Sequence, residues 1–441
     1  MKYKLSRYNI TFKLGRNFYI FNTYKLGIAK VDRRIYELVS TGKNMAGNAL
    51  AGFLNKQGEM DSLAEGGYIV EKNLDETARV WIHYNVNRFS SDFLSLTIIP
   101  TDRCNLSCVY CYQERGHVTM DEKIRCQLVE FVKENIKNRK GLAVTWYGGE
   151  PLLALPVVKS LSSEFIRYCM KHKKQYRARM VTNGTLINRE TVSQLSKCRI
   201  ERVQVTLDGP QEIHDKRRPF SGNVKNSSFE RIIEGLKYLK GKIPVVVRVN
   251  IDRSNKGVYM KLVKLLERQN ILDGNENCTI GLGYVRPWTD NISHIEESCV
   301  NMDEFSRLQV DIMKRRLKKN ISEETFPRQG ALCGSVSRHS YVITPDGSLV
   351  KCWINVNHKN LKAMAVGDIF RGLDYEKPAA VKWLSYDPYN HSKKCRKCVY
   401  FPLCLGGCPF IRLYRSREAD QICGYWEREV TQMVKLYIKE H

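Results

Sequence analysis

Cys104, Cys108 and Cys111 lie in the run Thr101-Asp102-Arg103-Cys104-Asn105-Leu106-Ser107-Cys108-Val109-Tyr110-Cys111-Tyr112, separated by three residues and then two. Three thiolates this close on one loop suit three corners of an iron–sulfur cube. One iron is then left without a protein ligand, open to a small chelating molecule. Zinc is the bland alternative, but it prefers four protein ligands and no fourth Cys or His stands within the motif. A second group, Cys333, Cys352, Cys395, Cys398, Cys404, Cys408 and Cys423, crowds the last quarter of the chain. Two closely spaced pairs there keep a four-cysteine zinc site open, although one such site would leave three of the seven unused.

These residues need elements to position them, and the middle of the chain supplies a count of six. Short apolar runs at Leu94–Pro100, Leu142–Tyr147, Ala178–Thr182, Arg202–Leu207, Val245–Ile251 and Thr279–Val285 read as strands. Between them lie helical patterns at Asp121–Lys137, Leu152–Lys171, Arg189–Lys197, Phe229–Leu239 and Gly257–Arg268. Alternation of this kind predicts parallel strands joined by right-handed crossovers. The polar motifs then fall on loops after strand ends, where parallel α/β folds place their chemistry. The cysteine triplet follows the first strand, Gly148-Gly149-Glu150-Pro151 the second, Asn183-Gly184-Thr185 the third and Asp208-Gly209-Pro210 the fourth. One such loop alone would read as a turn; four on successive strand ends predict a single rim. The glycines let the backbone come close to a ligand, and Glu150 can pair with an ammonium.

The triplet and the rim motifs together resemble the radical S-adenosylmethionine (radical SAM) enzymes. That resemblance implies an open (β/α)6 barrel, a [4Fe-4S] cluster on Cys104, Cys108 and Cys111, and SAM chelated to the open iron. It gives Gly148, Gly149 and Glu150 the amino group of the SAM methionyl part, and Arg218, or its neighbour Arg217, the carboxylate, for which a guanidinium fork is suited. Tyr110 and Thr206 match positions beside the cofactor. The tail cysteines resemble a SPASM domain with two auxiliary [4Fe-4S] clusters. Carried over, Cys395, Cys398, Cys404 and Cys423 hold the outer cluster, and Cys333, Cys352 and Cys408 the inner one. Three inner ligands leave an iron open to substrate unless Cys278 or Cys299 closes it; the open form is expected.

Three domains are therefore expected: a small α+β domain over residues 1–92, the barrel over 93–320 and the SPASM domain over 321–441. In the first, Tyr8–Phe12, Phe18–Phe21 and Gly27–Val31 read as strands, and Asp32–Val39 and Leu50–Asn55 as helices. The arrangement is loosely similar to small domains that bind leader peptides by strand addition. A cap over the barrel is the competing reading. Fifteen cysteines in 441 residues, behind a start with no apolar signal core, imply reduced thiols and a cytoplasmic protein. Cys126, Cys169 and Cys198 lie in helical patterns and are expected in the core, where free cysteine usually packs.

The formal net charge of +26 favours acidic partners. It is spread along the chain without an aromatic-interleaved block, so a solvated surface is expected and nucleic acid is disfavoured. No run of 18 apolar residues suggests a membrane span. The resemblance implies hydrogen abstraction from a peptide or protein by a 5′-deoxyadenosyl radical, with a low-potential donor such as flavodoxin or ferredoxin. Thioether or carbon–carbon crosslinking of a ribosomally made peptide is the expected reaction. Anaerobic sulfatase maturases, the alternative, place a proposed aspartate base after the second inner-cluster cysteine; here Trp353 follows Cys352. A non-catalytic iron–sulfur protein would leave the open triplet and Gly-Gly-Glu without purpose.

Overall fold

The computed structural model describes residues 3–41, 57–114, 116–222, 226–272, 277–318, 330, 332–356, 361–418 and 423–440. The expected helix at Leu50–Asn55 lies outside them. Two compact units share the chain: residues 1–89, 306–333 and 386–441 form one, and residues 90–305 and 334–385 the other.

In the first unit, β1 (Tyr3–Leu5) pairs antiparallel with β5 (Ile69–Glu71), while β2 (Asn9–Leu14), β3 (Asn17–Asn22) and β4 (Ile28–Val31) form an antiparallel meander. Successive side chains of β3 point to opposite faces, as a pleated strand requires. Ile20 packs with Ile35, Leu38, Leu63, Tyr68 and Ile69 on one side. Tyr19 and Phe21, with Phe12 of β2, pack on Leu403, Val430 and Val434, the last two on the C-terminal helix Gly424–Glu440. Helix Arg33–Ser40 starts where Asp32 accepts a hydrogen bond from the Ile35 amide, an ordinary N-cap. Further ties reach the same C-terminal segment: Thr23 donates to the Val399 carbonyl at 2.5 Å, and Trp81 Nε1 to Asp387 at 2.6 Å.

The second unit is built on β6 (Phe93–Ile98), β7 (Gly141–Trp146), β8 (Gln175–Thr182), β9 (Ile200–Thr206), β10 (Val245–Ile251) and β11 (Cys278–Tyr284). All six run parallel in sequential order. Helices Glu122–Ile136, Leu155–Lys171, Arg189–Lys197, Ser228–Leu239 and Tyr259–Arg268 follow the first five strands. Residues such as Leu94, Leu142, Ala178, Val203 and Val247 are fully buried, forming the apolar face that parallel strands present to crossover helices. The sheet also continues past β6. β12 (Ser340–Ile343) pairs with β6 in parallel, and β13 (Ser348–Val350) returns antiparallel through the Asp346-Gly347 turn. With β14 (Gly367–Asp368) and β15 (Gly372–Leu373) the sheet reaches ten strands.

Cys169 and Cys198 are buried as expected, but Cys126 is exposed. Helix Glu122–Ile136 buries Leu128, Val129, Phe131, Val132 and Ile136. At about 100° per residue, Cys126 falls about a third of a turn from the centre of that stripe.

Candidate active site

The loop after β6 is held from two sides. Ser107 N donates to the Pro219 carbonyl at 2.8 Å, Val109 N to Arg217 at 3.0 Å and Ser221 N to Asn105 at 2.9 Å. The cysteine loop thus lies against the segment that carries Arg217 and Arg218. On its other flank, Gly149 N and Glu150 N donate to the carbonyls of Thr101 and Arg103 at 3.3 and 2.7 Å. The glycines serve this contact. A Cβ at Gly149 would stand 2.1 Å from the Arg103 carbonyl oxygen, and one at Gly148, whose φ is +136°, 2.7 Å from that of Thr101. Besides the approach to a ligand expected from the sequence, close packing of two protein backbones requires glycine here.

Glu150 is fully buried. Its Oε1 accepts from Thr182 Oγ1 at 2.6 Å and Leu152 N at 3.0 Å, and its Oε2 from Asn183 N at 2.7 Å. Burial pushes its pKa up, while these three donors and Arg218 pull it down. A carboxylate has about four acceptor sites, so one stays open for an ammonium. Asn183 also donates to Asn105 Oδ1 at 2.7 Å, and its amide lies 3.9 Å from the Cys104 sulfur.

The two arginines separate cleanly. Arg217 is saturated: its Nε meets Asp208 at 3.4 Å, its Nη1 donates to Asp252 and, at 2.7 Å, to Ser254, and its Nη2 reaches the Asn250 carbonyl at 2.9 Å. It also lies 4.9 Å over the Tyr110 ring. Arg218 is buried too, yet among the described residues only its Nη1 is engaged, donating to the Tyr110 hydroxyl at 2.9 Å, and its Nε has no described partner. The free donors aimed at a carboxylate are therefore those of Arg218. Tyr110 in turn donates to Asp208 and accepts from Asn250 Nδ2 at 3.2 Å. Asp208, Asn250 and Asp252 are the residues the sequence reading missed as a group; each ends or follows a strand, and that was the available signal. Thr206, buried at the end of β9, stands beside Arg248 of β10 in register.

An aromatic set lies next to the triplet. The hydroxyls of Tyr112 and Tyr147 are hydrogen-bonded to each other, and both rings lie within electrostatic reach of the Cys111 and Cys352 thiols. Trp353 packs against Tyr147 with ring centroids 4.4 Å apart and the rings tilted by 34°, and donates its Nε1 to Thr97 at 3.1 Å. Cys299, Tyr110 and Tyr112 each pack against the buried cluster of Val285, Ile292 and Ile295. Cys278 starts β11 opposite Val245, the first residue of β10, at the end of the barrel away from this rim.

Residues 98–265 match the radical SAM superfamily. The chain carries a radical SAM domain. It is 27% identical over 360 residues to the cysteine-type anaerobic sulfatase-maturating enzyme of Clostridium perfringens, covering 75% of this chain and 93% of that one. Fe-coproporphyrin III synthase of Methanosarcina barkeri is 28% identical over 232 residues, which span 52% of each chain. The structure of Streptococcus suis SuiB bound to precursor peptide SuiA is similar in fold, with a TM-score of 0.51 at 15% identity over 92% of this chain and 95% of that one. This radical SAM enzyme is thus similar to anaerobic sulfatase maturases over most of its length, and the radical SAM superfamily uses SAM and a [4Fe-4S] cluster.

The residues present fit that cofactor. Burial pushes the Cys104 and Cys108 thiols up to about 11, and Arg218 is the nearby cation that counters it. Such thiols ionise when iron binds them. Among the described residues no three His, Cys, Asp or Glu side chains converge as ligands of a single ion do; a cube instead takes each thiolate at a separate corner. In the other unit, burial raises the thiols of Cys398 and Cys404, the latter to about 12, and Cys395 and Cys423 each add to the rise, so these four lie together. Arg412 donates to Cys423 Sγ at 3.3 Å and to the Gly406 carbonyl at 2.5 Å. Four mutually repelling thiolates with one arginine suit a cationic iron cluster, and they are the four expected for the outer one. No described helix is long and apolar enough to cross a membrane.

Proposed function

We propose that this enzyme modifies a ribosomally made peptide by thioether or carbon–carbon crosslinking. The observation that carries the reading is Trp353. Where sulfatase maturation calls for a carboxylate base after Cys352, the chain places an indole that packs, tilted, against Tyr147 and is tied to Thr97. An indole cannot take a proton from a substrate thiol or hydroxyl, and a crosslinking reaction does not need that base. The peptide held by SuiB supports a peptide partner. In the first unit both faces of the β2–β3–β4 sheet are covered, and its outer strands β2 and β4 pair with no further described strand. An extended leader could add at such an edge.

When bound, SAM and the cluster supply a 5′-deoxyadenosyl radical that removes a hydrogen from an unactivated carbon. The chain's own residues prepare that event. Glu150 offers one open acceptor site to the methionyl ammonium, and Arg218 offers its unpaired Nε–H to the carboxylate. Tyr110 holds Arg218, while Arg217 is locked between Asp208 and Asp252 and keeps the loop in place. Tyr112, Tyr147 and Trp353 exclude water from the space beside the triplet and fix where a substrate side chain can lie.

Sulfatase maturation is the second reading, favoured by the 27% identity to a maturase over 93% of its length. The two separate in one experiment. The reduced, reconstituted enzyme is incubated with SAM and, in turn, a precursor peptide encoded beside its gene and a sulfatase peptide with the target cysteine. Crosslinking gives a peptide two hydrogens lighter with a new bond in its fragmentation pattern. An aldehyde on the sulfatase peptide, with no change in the precursor, would overturn the crosslinking reading.

A further inference from the structure

The inward face of the barrel carries arginines that the rim chemistry does not use. Strand alternation fixes their direction. On β8, Ala178 and Met180 are buried, and Tyr176 reaches Ser162 of helix Leu155–Lys171, so Gln175, Arg177 and Arg179 face the lumen. On β9, Val203 and Val205 are buried outward, leaving Arg202, Gln204 and Thr206 inward. On β10, buried Val247 and Val249 leave Arg248 and Asn250 inward. Contacts between nearby strands on this face agree. Arg177 lies 5.2 Å over the ring of Phe93 on β6, and a Cβ at Gly283 on β11 would strike Arg248 and Asn250.

Register arranges these charges as a track. Arg179 stands directly beside Arg202, and Arg248 beside Thr206. From Arg177 to the level of Arg248 is six residues of strand, or about 20 Å, ending at the rim where SAM is expected. Like charges set side by side on neighbouring strands repel. Yet Arg179 and Arg202 are exposed, and neither makes a hydrogen bond or ion pair with a described residue; Arg177 and Arg248 bond only to the amides of Gln175 and Asn250. The only carboxylate on the six strands, Glu201, sits at the β-bulge next to Arg202 and pairs with neither arginine. Positive charge without a counter-charge, in a lumen open to solvent, calls for an anion from outside.

We propose that this track binds an acidic, extended stretch of the peptide substrate, a statement that rests on the peptide-modifying reading above. Along an extended chain, side chains on one side recur about every 6.6 Å, the spacing at which Arg177 and Arg179 follow one another. Carboxylates at alternate residues would thus meet successive guanidiniums and lead the next residues up to the rim. A track of this length fits about six extended residues better than it fits a compact ligand.

The test uses the full chain, anaerobically reconstituted with SAM, and two fluorescein-labelled probes: a (Glu-Ala)3 hexapeptide and its (Gln-Ala)3 counterpart. Fluorescence anisotropy should show binding of the first and not the second, weakening as salt is raised. R179Q/R202Q should bind the acidic probe at least roughly tenfold more weakly, since two charge-assisted contacts are lost, and R179K/R202K should restore most of it. Circular dichroism confirms that both variants are folded. Equal binding of the two probes, or unchanged binding by folded R179Q/R202Q, overturns the proposal. So does a porphyrin tetracarboxylate or a single-stranded oligonucleotide that displaces the acidic probe and binds more tightly with the same dependence on Arg179 and Arg202. Mass spectrometry of the precursor separates the two levels. Peptide modified equally well by wild type and R179Q/R202Q sinks this inference alone, whereas acidic binding with no modification of any peptide sinks the reading it rests on.

Discussion

Glu150→Gln tests the site where the geometry is most complete. The carboxylate is fully buried and accepts three hydrogen bonds, from Thr182, Leu152 and Asn183. A glutamine keeps one acceptor oxygen. Placed where Oε1 stands, that oxygen still serves Thr182 and Leu152, but the new amide NH2 then faces the Asn183 N–H, donor against donor. Losing a hydrogen bond to a charged group costs about 1.5–3 kcal/mol, so urea denaturation of the cofactor-free protein should show a loss of that order. A second effect is separate from the first. The remaining acceptor site is the one assigned to the methionyl ammonium, and without the negative charge a contact of similar size is lost. Calorimetric titration of the reconstituted enzyme with SAM should therefore show affinity lower by roughly ten- to a hundredfold, with cluster content unchanged. Thr182→Val, which removes one internal donor and keeps the carboxylate, should weaken SAM much less. Unchanged SAM affinity in a folded Glu150→Gln protein would remove Glu150 from the binding site.

Three further outcomes are expected. Replacing Cys104, Cys108 and Cys111 together with alanine should abolish deoxyadenosine formation while iron analysis still finds the auxiliary clusters; continued SAM cleavage would refute the triplet's role. Arg217→Ala should leave Asp208 and Asp252 buried without their cation and cost about 3–5 kcal/mol in a denaturant titration, whereas Arg218→Lys should chiefly lower SAM affinity; the reverse pattern would exchange the two roles. Buried His214 accepts a hydrogen bond from Asp208 N at 3.1 Å, and its pKa is lowered to about 3 by burial and then by Arg218 and Arg217, with Asp215 opposing. The unfolded chain takes up this proton below about pH 6.5 and the folded chain does not, so between pH 7 and 5 stability should fall by about 2 kcal/mol from this residue. The same pH dependence in a folded His214→Gln protein would refute it.

Much of the barrel was legible in the sequence. Val245–Ile251 is a strand over the expected residues, and the other five differ by one to three residues at their ends. Each is a run rich in apolar and β-branched residues, a helical period follows each of the first five, and that signal is local. What was not legible depends on partners far away in sequence. β12 pairs with β6, so Ser340 finds Ser95 across the whole barrel. The aromatic residues of β2 and β3 meet Val430 and Val434 at the other end of the chain. Neither contact leaves a trace in the spacing of nearby residues. The same holds at the site: Arg217 and Arg218 are equivalent in sequence, and only the carboxylates brought in from two other loops, Asp208 and Asp252, distinguish the saturated one.

The strand ends that were read too short carry an argument of their own. The expected strands began at Ala178 and Arg202, while the observed ones begin at Gln175 and Ile200. A parallel strand covered on both faces should be a continuous apolar run, and Gln175-Tyr176-Arg177 does not continue one. In the structure β8 alternates: Ala178 and Met180 are buried toward the helices, while Arg177 and Arg179 are exposed on the other face. Alternation of this kind belongs to a strand with one wet side. It means that the barrel is not filled by layers of apolar side chains, as a closed eight-stranded one is, and that its inner wall is a surface. A surface of arginines without counter-charges opposes folding by its own repulsion. The departure from the parallel-strand pattern at Arg177, Arg179 and Arg202 is therefore best accounted for by what the lumen must hold.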